Sequence, residues 1–309
     1  MPPRSASVPT LTASGTDPSP AALEGWRRRL SKQIEVTRDL PWRETRDPWA
    51  VLVAEVMLQQ TQVTRVIPAW TEFLTAMPRP ADCAAAGRAE VVRRWAGLGY
   101  NRRAVALHSA AVTIVEVHDG VIPRGLDDLL ALPGVGPYTA RAVLAFAFEE
   151  DVAVVDTNVA RIVARAVIGQ PLGAAALQRV ADTLVPAGKG WRHNQAMLDL
   201  GAVTCTAIAP SCSTCPIRRS CAWRQDGCPD PDPARSTAGT ARPQGRFEGS
   251  DRQARGALLD LLRGGPASGG SLDALATSLG RDRFDRSREG LMKDGLIEVD
   301  GDGLRLRGS

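Results

Sequence analysis

Four cysteines, two acidic residues and one glycine turn hold most of the chemistry this sequence can offer. Cys205, Cys212, Cys215 and Cys221 fall within 17 residues of a chain that has six cysteines in all. Such crowding is a metal pattern in a reducing compartment rather than a disulfide framework. Four thiolates in one short wrap suit a cubane [4Fe-4S] cluster or a structural zinc. Zinc sites more often use two separated Cys-x2-Cys pairs, and only one such pair is present; spacing alone leaves the choice open. Cys83 sits in an alanine-rich helical context and is expected to be a buried thiol, while Cys228 has no assigned role.

The two acids stand far apart in the chain. Glu55 interrupts the run Val51-Leu52-Val53-Ala54-Glu55-Val56-Met57-Leu58, which is apolar on every side of a helix. A carboxyl group there either pairs with an arginine or keeps its proton because burial raises its pKa, which would make it a general acid. Asp156 follows the apolar residues 152–155 and so emerges from a buried segment. It also precedes a helix and suits an N-cap, a role compatible with chemistry. Before it, Gly134-Val135-Gly136 makes a tight turn at a helix start, whose N–H groups favour an anion, most simply a phosphate. Phosphate grip and carboxylate flank one helix, as needed to hold a nucleic-acid backbone with Asp156 facing a sugar.

The elements that must position these groups are helical. Leu23, Trp26, Leu30 and Ile34 define an amphipathic helix over 21–36, and helices follow from 50 to 60, through 66–117 with short turns, and over 126–132. Gln59-Gln60-Thr61-Gln62 is an amide cluster fit to bond bases or to cap a helix. Gly97-Leu98-Gly99-Tyr100 pins one of only two tyrosines beside Arg102-Arg103, which suits stacking or insertion into a duplex, or simply a buried phenol. Further helices are expected over 157–164, 174–184 and 194–203. Residues 227–246 are rich in Pro, Asp and Gly and read as a linker. Residues 247–309 form a small winged-helix-like unit: helices near 253–262, 271–279 and 284–293, then strands about the turn Asp300-Gly301-Asp302-Gly303. Such modules bind DNA or protein, and the mixed charge here does not decide which.

The fold class is therefore all-α. At 309 residues with 44% apolar content the chain has room for two or three domains. No stretch approaches the roughly 20 apolar residues that cross a membrane. The Pro/Ser/Thr-rich lead over 1–20 reads as disordered rather than as a secretory signal, which points to the cytoplasm. A net charge of +4 is compatible with a polyanionic partner.

Together these motifs make the chain resemble the helix-hairpin-helix base-excision DNA glycosylases, and most closely their MutY-type A/G-specific adenine branch. The likeness rests on Pro41-Trp42-Arg43, Glu55 to Val63, Gly97 to Tyr100, Leu132 to Gly136, Asp156 to Val159, Asn194 to Ala202 and the four cysteines. It spans about residues 21–225. The resemblance implies a six-helix barrel lobe over 44–150 and a second lobe, 21–43 with 151–226, carrying a [4Fe-4S] cluster, with DNA between them. It implies a monomeric, nucleoid-associated enzyme that removes adenine mispaired with 8-oxoguanine or guanine in double-stranded DNA. Glu55 would protonate adenine N7, and Asp156, supported by Asn158, would stabilise the sugar cation. Gln60, Thr61 and Tyr100 would enter or contact the duplex, and Trp42, Arg43, Leu58 and Asp199 would line the base pocket. Gly134 and Gly136 would hold the backbone. Strand-cleaving relatives carry a lysine where this chain has Tyr138, so a monofunctional glycosylase is expected.

Three departures stand out. The loop Thr206 to Ser211 lacks the basic residue that relatives commonly place there, with Arg218 and Arg219 as substitutes. Tyr100-Asn101 stands where a tyrosine pair is common. The tail is too short for the Nudix-like domain that many relatives use to read 8-oxoguanine. Two rival readings follow: a thymine (T:G) mismatch glycosylase of the same fold, and a non-catalytic iron–sulfur DNA-binding protein.

Overall fold

Helix starts set by proline rings and capping side chains give the chain its frame. In the computed structural model, which describes residues 18–239 and 245–308, α1 (Pro20–Gln33) opens with Ser19 accepting from Ala22 N. The expected lead over 1–20 lies outside the described residues except for its last three. Asp47 caps α2 (Pro48–Leu58), accepting from the Trp49 N–H at 3.0 Å. Every residue of α2 from Trp49 to Met57 is buried, because α2 is the axis around which α3 (Val63–Ala76), α5 (Arg102–Val117) and α7 (Pro137–Phe146) pack. α4 (Pro80–Arg94) pairs with α5, and α6 (Leu126–Ala131) with the turn Leu132 to Gly136 and α7 makes the hairpin. Cys83 is fully buried on α4, its thiol pushed up to about 12 by burial.

An extended crossing over 151–156 leads into α8 (Thr157–Ile162), which widens into π-helical turns over Val163–Ile168. α9 (Ala174–Leu184) packs on α1, joining the N-terminal helix to this second half. α10 (Gly190–Asp199) likewise widens over Leu200–Thr204 before the cysteine loop and α11 (Ala222–Gln225). The widened end of α10 packs on α8, with Gly201 against Asn158, two residues past Asp156; such widened turns are often tied to function.

The stretch expected as a linker is tethered over much of its length. Asp232, 9% exposed, pairs with buried Arg165, and Thr237 accepts from the Leu172 N–H at 3.2 Å. Its Pro/Asp/Gly composition hid a folded strap; residues 240–244 of it lie outside the described residues. Beyond come α12 (Asp251–Arg263), α13 (Gly269–Leu279), α14 (Arg281–Lys293) and the antiparallel pair β1 (Ile297–Asp300) and β2 (Gly303–Leu306). Ile297 faces Leu306, and Ala267 bridges to Leu304 as a third short strand, giving the winged-helix arrangement. Among the described residues no helix is long and apolar enough to cross a membrane.

Candidate active site

Glu55 on α2 and Asp156 at the start of α8 lie within one another's electrostatic field. Glu55 is 4% exposed, and its Oε2 has no hydrogen-bond partner among the described residues. Burial pushes its pKa up to about 7, with the Asp156 charge adding to the rise; the Tyr138 hydroxyl and the Arg43 guanidinium pull the other way. Tyr138, near the start of α7, has its own pKa held well above the phenol range by burial and by the charges of Glu55 and Asp156. It therefore stays a neutral donor beside the two acids.

Asp156 is aimed by everything around it. Asn194 pins the extended crossing by accepting from Val154 N at 2.8 Å and donating to Val152 O at 2.8 Å, which explains why an Asn belongs on α10 there. Asp156 Oδ1 accepts from the N–H groups of Asn158 and Val159, each at 2.8 Å, and Oδ2 accepts from the Asn158 amide at 2.7 Å. Burial raises its pKa while these donors hold it down. Behind Asn158 stands Arg161, which donates to Asn158 Oδ1 at 2.7 Å, Gly201 O at 2.7 Å and Cys205 O at 2.6 Å. A Cβ at Gly201 would lie 2.4 Å from that of Asn158, so only glycine lets the two widened helices touch here.

The turns that carry the expected wedge residues are held together by Arg103, half of the basic pair beside Tyr100. Arg103 is turned inward, 9% exposed, and donates to the carbonyls of Val56, Met57, Gln59, Leu98 and Gly99 and to Thr61 Oγ1 at 2.7–3.1 Å. One buried guanidinium thus stitches the turn after α2 to the turn before α5. Gln60 (φ 55°) and Tyr100 (φ 44°) both adopt left-handed backbone on these turns, a strained state that persists only where the surroundings impose it. Both side chains remain exposed. Arg103 supports Tyr100 from beneath its ring at 5.7 Å; it cannot also meet a phosphate.

Gly134 (φ 76°) makes the hairpin turn, and a Cβ there would strike Ala106 of α5 at 2.5 Å. Gly136 is extended and caps α7, with Pro137 as its first residue. Between this turn, α2 and α5 lies a cavity of about 250 Å³, lined by Gln59 and Arg102 among others. It does not include Glu55 or Asp156, so it is a feature beside the acid pair and not the base pocket.

Trp42, Arg43, Leu58 and Asp199 are placed unequally. Trp42 is buried edge-on against Trp70 at 6.0 Å, and Leu58 is half-buried at the end of α2. Asp199 has no exposed surface. It receives both Arg43 terminal nitrogens at 3.0 and 2.7 Å and the N–H groups of Thr37 and Arg38 at 2.7 and 2.9 Å. Those donors hold its pKa well below the carboxylate range despite burial. Asp199 is thus enclosed by Arg43, Arg38 and Thr37, and the buried Nε of Arg43 has no partner among the described residues.

Cys205, Cys212, Cys215 and Cys221 line one cavity with Arg165, Arg218 and Arg224. Arg165 Nη1 lies 3.6 Å from Cys205 Sγ, and its other bonds go to Thr206 O, Ala207 O and Asp232. The thiols sense one another's charge and, with burial, Cys221 is pushed up to about 11. Among the described residues no three His, Cys, Asp or Glu side chains are grouped closely enough for a single metal ion. Cys228 is exposed and apart.

Sequence reasoning missed Arg103, Arg161, Arg165 and Asp232. For two of these a signal existed: Arg161 and Arg165 follow Asn158 by three and seven residues, one face of a helix.

The profile of the HhH-GPD superfamily of base-excision DNA repair proteins matches residues 53–183, a span holding Glu55, the hairpin and Asp156. The adenine DNA glycosylase of Mycolicibacterium smegmatis is 46% identical over 281 residues, covering 89% of this chain and 92% of that protein. That of Homo sapiens is 42% identical over 210 residues, 63% of this chain and 38% of the longer human protein. Among solved structures, a thermostable thymine-DNA glycosylase matches with a TM-score of 0.59 at 28% identity, covering 67% of this chain and 96% of that one. The chain belongs to the HhH-GPD superfamily of base-excision DNA repair proteins, on its MutY-type branch.

Proposed function

We propose that this DNA glycosylase hydrolyses the N-glycosidic bond of adenine mispaired with 8-oxoguanine or guanine in duplex DNA, and that it does not cleave the strand. The observation that carries the reading is the asymmetry of the acid pair: Asp156 has three donors, whereas Glu55 has the Tyr138 hydroxyl and, among the described residues, none on Oε2. A proton shared between two such groups resides on the one with fewer donors. Glu55 then gives that proton to N7 of the extruded adenine, the bond from C1′ to N9 breaks with its electron pair leaving on the base, and Asp156 faces the sugar cation. Asp156 shields that cation, or bonds to it briefly, until water adds. Extrusion costs roughly a few kcal/mol, which Gln60, Tyr100 and the phosphate grip at Gly134 and Gly136 would offset. Tyr138 has no amine to form a Schiff base, which supports a monofunctional reaction.

The four cysteines fit a [4Fe-4S] cluster: they surround a shared cavity instead of converging on one ion, and three arginines line it against the cluster's negative charge. When bound, the cluster would tie the loop over 205–221 into one rigid unit. Protein purified without oxygen should be brown; a colourless, zinc-loaded sample would remove this assignment. The partner is duplex DNA and the working unit a monomer at the nucleoid.

The thymine (T:G) reading draws on the match to a thymine-DNA glycosylase, but at lower identity than the adenine-specific relatives. Release assays on duplexes with A opposite 8-oxoguanine and T opposite G separate the two: adenine release, abolished by Glu55→Gln, is expected, and preferential thymine release would overturn the proposal.

A further inference from the structure

The winged-helix unit is joined to the barrel lobe by arginines that cross in both directions. From α12, Arg263 donates through Nη2 to Asn101 Oδ1 at 2.8 Å and through Nε to Val92 O at 3.2 Å. Arg252, also on α12, reaches the Tyr100 hydroxyl at 3.4 Å. In return Arg88 of α4 donates to Gly295 O at 3.3 Å, and Arg102 of α5 pairs with Asp294 at 3.5 Å. Apart from the Arg88 bond, farther back on α4, these land on the turn between α4 and α5, on its Tyr100-Asn101 tip or on its flanks. Beneath them one buried apolar cluster contains both barrel residues and Leu258, Leu259 and Leu262 of α12.

The same unit is poorly built to grip phosphate. Between residues 245 and 308 eleven basic side chains are matched by eleven acidic ones. Most of its arginines pair with acidic neighbours: Arg246 with Glu248, Arg255 with Asp294, Arg263 with Asp260, Arg281 with Asp273, Arg286 with Asp251, Arg288 with Asp285 and Arg305 with Glu298. A DNA-binding surface needs cations left over for the backbone.

We infer that the winged-helix unit is a brace for the wedge turn, acting through Arg263 and Asn101 to hold Tyr100 in the position from which it enters the duplex. The inference rests on the reading of Tyr100 as a wedge. It gives the second residue of the turn, Asn101, a purpose: a side chain with a carbonyl oxygen that a guanidinium from another domain can grip. It also assigns this short tail a role in reading the mispair without contacting the lesion, since a wedge held stiffly gains more from a duplex that already yields at the mismatch. Arg103 fixes the turn from below and Arg263 from the side, which is how a left-handed tyrosine at φ 44° is kept in place. Arg263 and Asn101 are positioning residues.

The test is a set of full-length variants, Arg263→Ala, Asn101→Ala, Tyr100→Ala and the double Arg263→Ala/Tyr100→Ala. Single-turnover adenine release from A:8-oxoguanine duplex is measured with affinity for undamaged duplex and the thermal midpoint. Losing one charge-assisted hydrogen bond at the brace should slow release by about tenfold. Affinity for undamaged duplex should stay within about twofold, since no phosphate contact is removed. Arg263→Ala should add nothing in the Tyr100→Ala background. A loss that multiplies with that of Tyr100→Ala, or a wild-type rate in Arg263→Ala, overturns the brace. So does an equal fall in affinity for undamaged duplex, which would mark Arg263 as a DNA contact. If wild-type protein itself releases no adenine, the functional reading fails and the brace with it; if it does and only the variants behave otherwise, the brace alone fails.

Discussion

Two buried carboxyl groups in this molecule meet opposite fates. Asp199, without exposed surface, is surrounded by Arg43, Arg38 and two backbone N–H groups, and its pKa is held down. Glu55, almost as deeply buried, sits in an apolar helix with one oxygen unpartnered, and its pKa is pushed up to about 7. The chemical group is nearly the same; what differs is the supply of donors. Burial with many donors makes a permanently ionised rivet, and burial with few makes an acid that holds a proton near neutral pH. The rivet orients Arg43, which in turn faces Glu55, so the structural carboxylate helps to tune the reactive one.

The contrast can be broken from either side. Glu55→Gln removes the proton donor while keeping the shape, and adenine release should fall by about 10³-fold or more in single-turnover assays; a modest loss would mean that another group supplies the proton. Asp199→Ala leaves Arg43 buried and Arg38 half-buried without their counter-charge, and denaturant unfolding should show about 3–5 kcal/mol of lost stability. Stability separates the two acids further. Glu55 titrates near 7 in the fold against 4.5 in an unfolded chain. Its protonated state therefore stabilises the fold at low pH, and that contribution is lost as pH rises from about 4.5 through 7. Glu55→Gln should match wild type near pH 4.5 and exceed it by up to about 3 kcal/mol near pH 8.5; equal stabilities at both pH values would deny the raised pKa. The smallest effect is expected at Gly201→Ala, where the added Cβ presses on Asn158. Overpacking should cost about 1–3 kcal/mol, and release should slow because Asn158 orients Asp156.

How much of this could be read from the chain follows the same division. Glu55 was visible because a charge in an apolar run breaks a local pattern, and the cysteines because four thiols in 17 residues do. The helices on α2, α9 and the tail followed from apolar spacing alone. Arg103 was not legible, because an arginine beside other polar residues looks like surface until tertiary structure supplies the carbonyls it serves; Arg161 and Arg165, set in the apolar run Val159 to Val167, carried a signal. Arg103, visible only as half of the basic pair beside Tyr100, spends its donors inside. Asp232 vanished into a Pro/Asp/Gly stretch, since composition does not show that one carboxylate in it has a buried partner. Asn101 looked like a departure from pattern until Arg263 was found against it.

The most direct measurement is the pH dependence of single-turnover adenine release under saturating enzyme. An acid with a pKa of about 7 that must be protonated, at Glu55, makes the rate fall by about tenfold per pH unit above that point. A rate that stays level or rises between about pH 7 and 9 would contradict a proton held on Glu55.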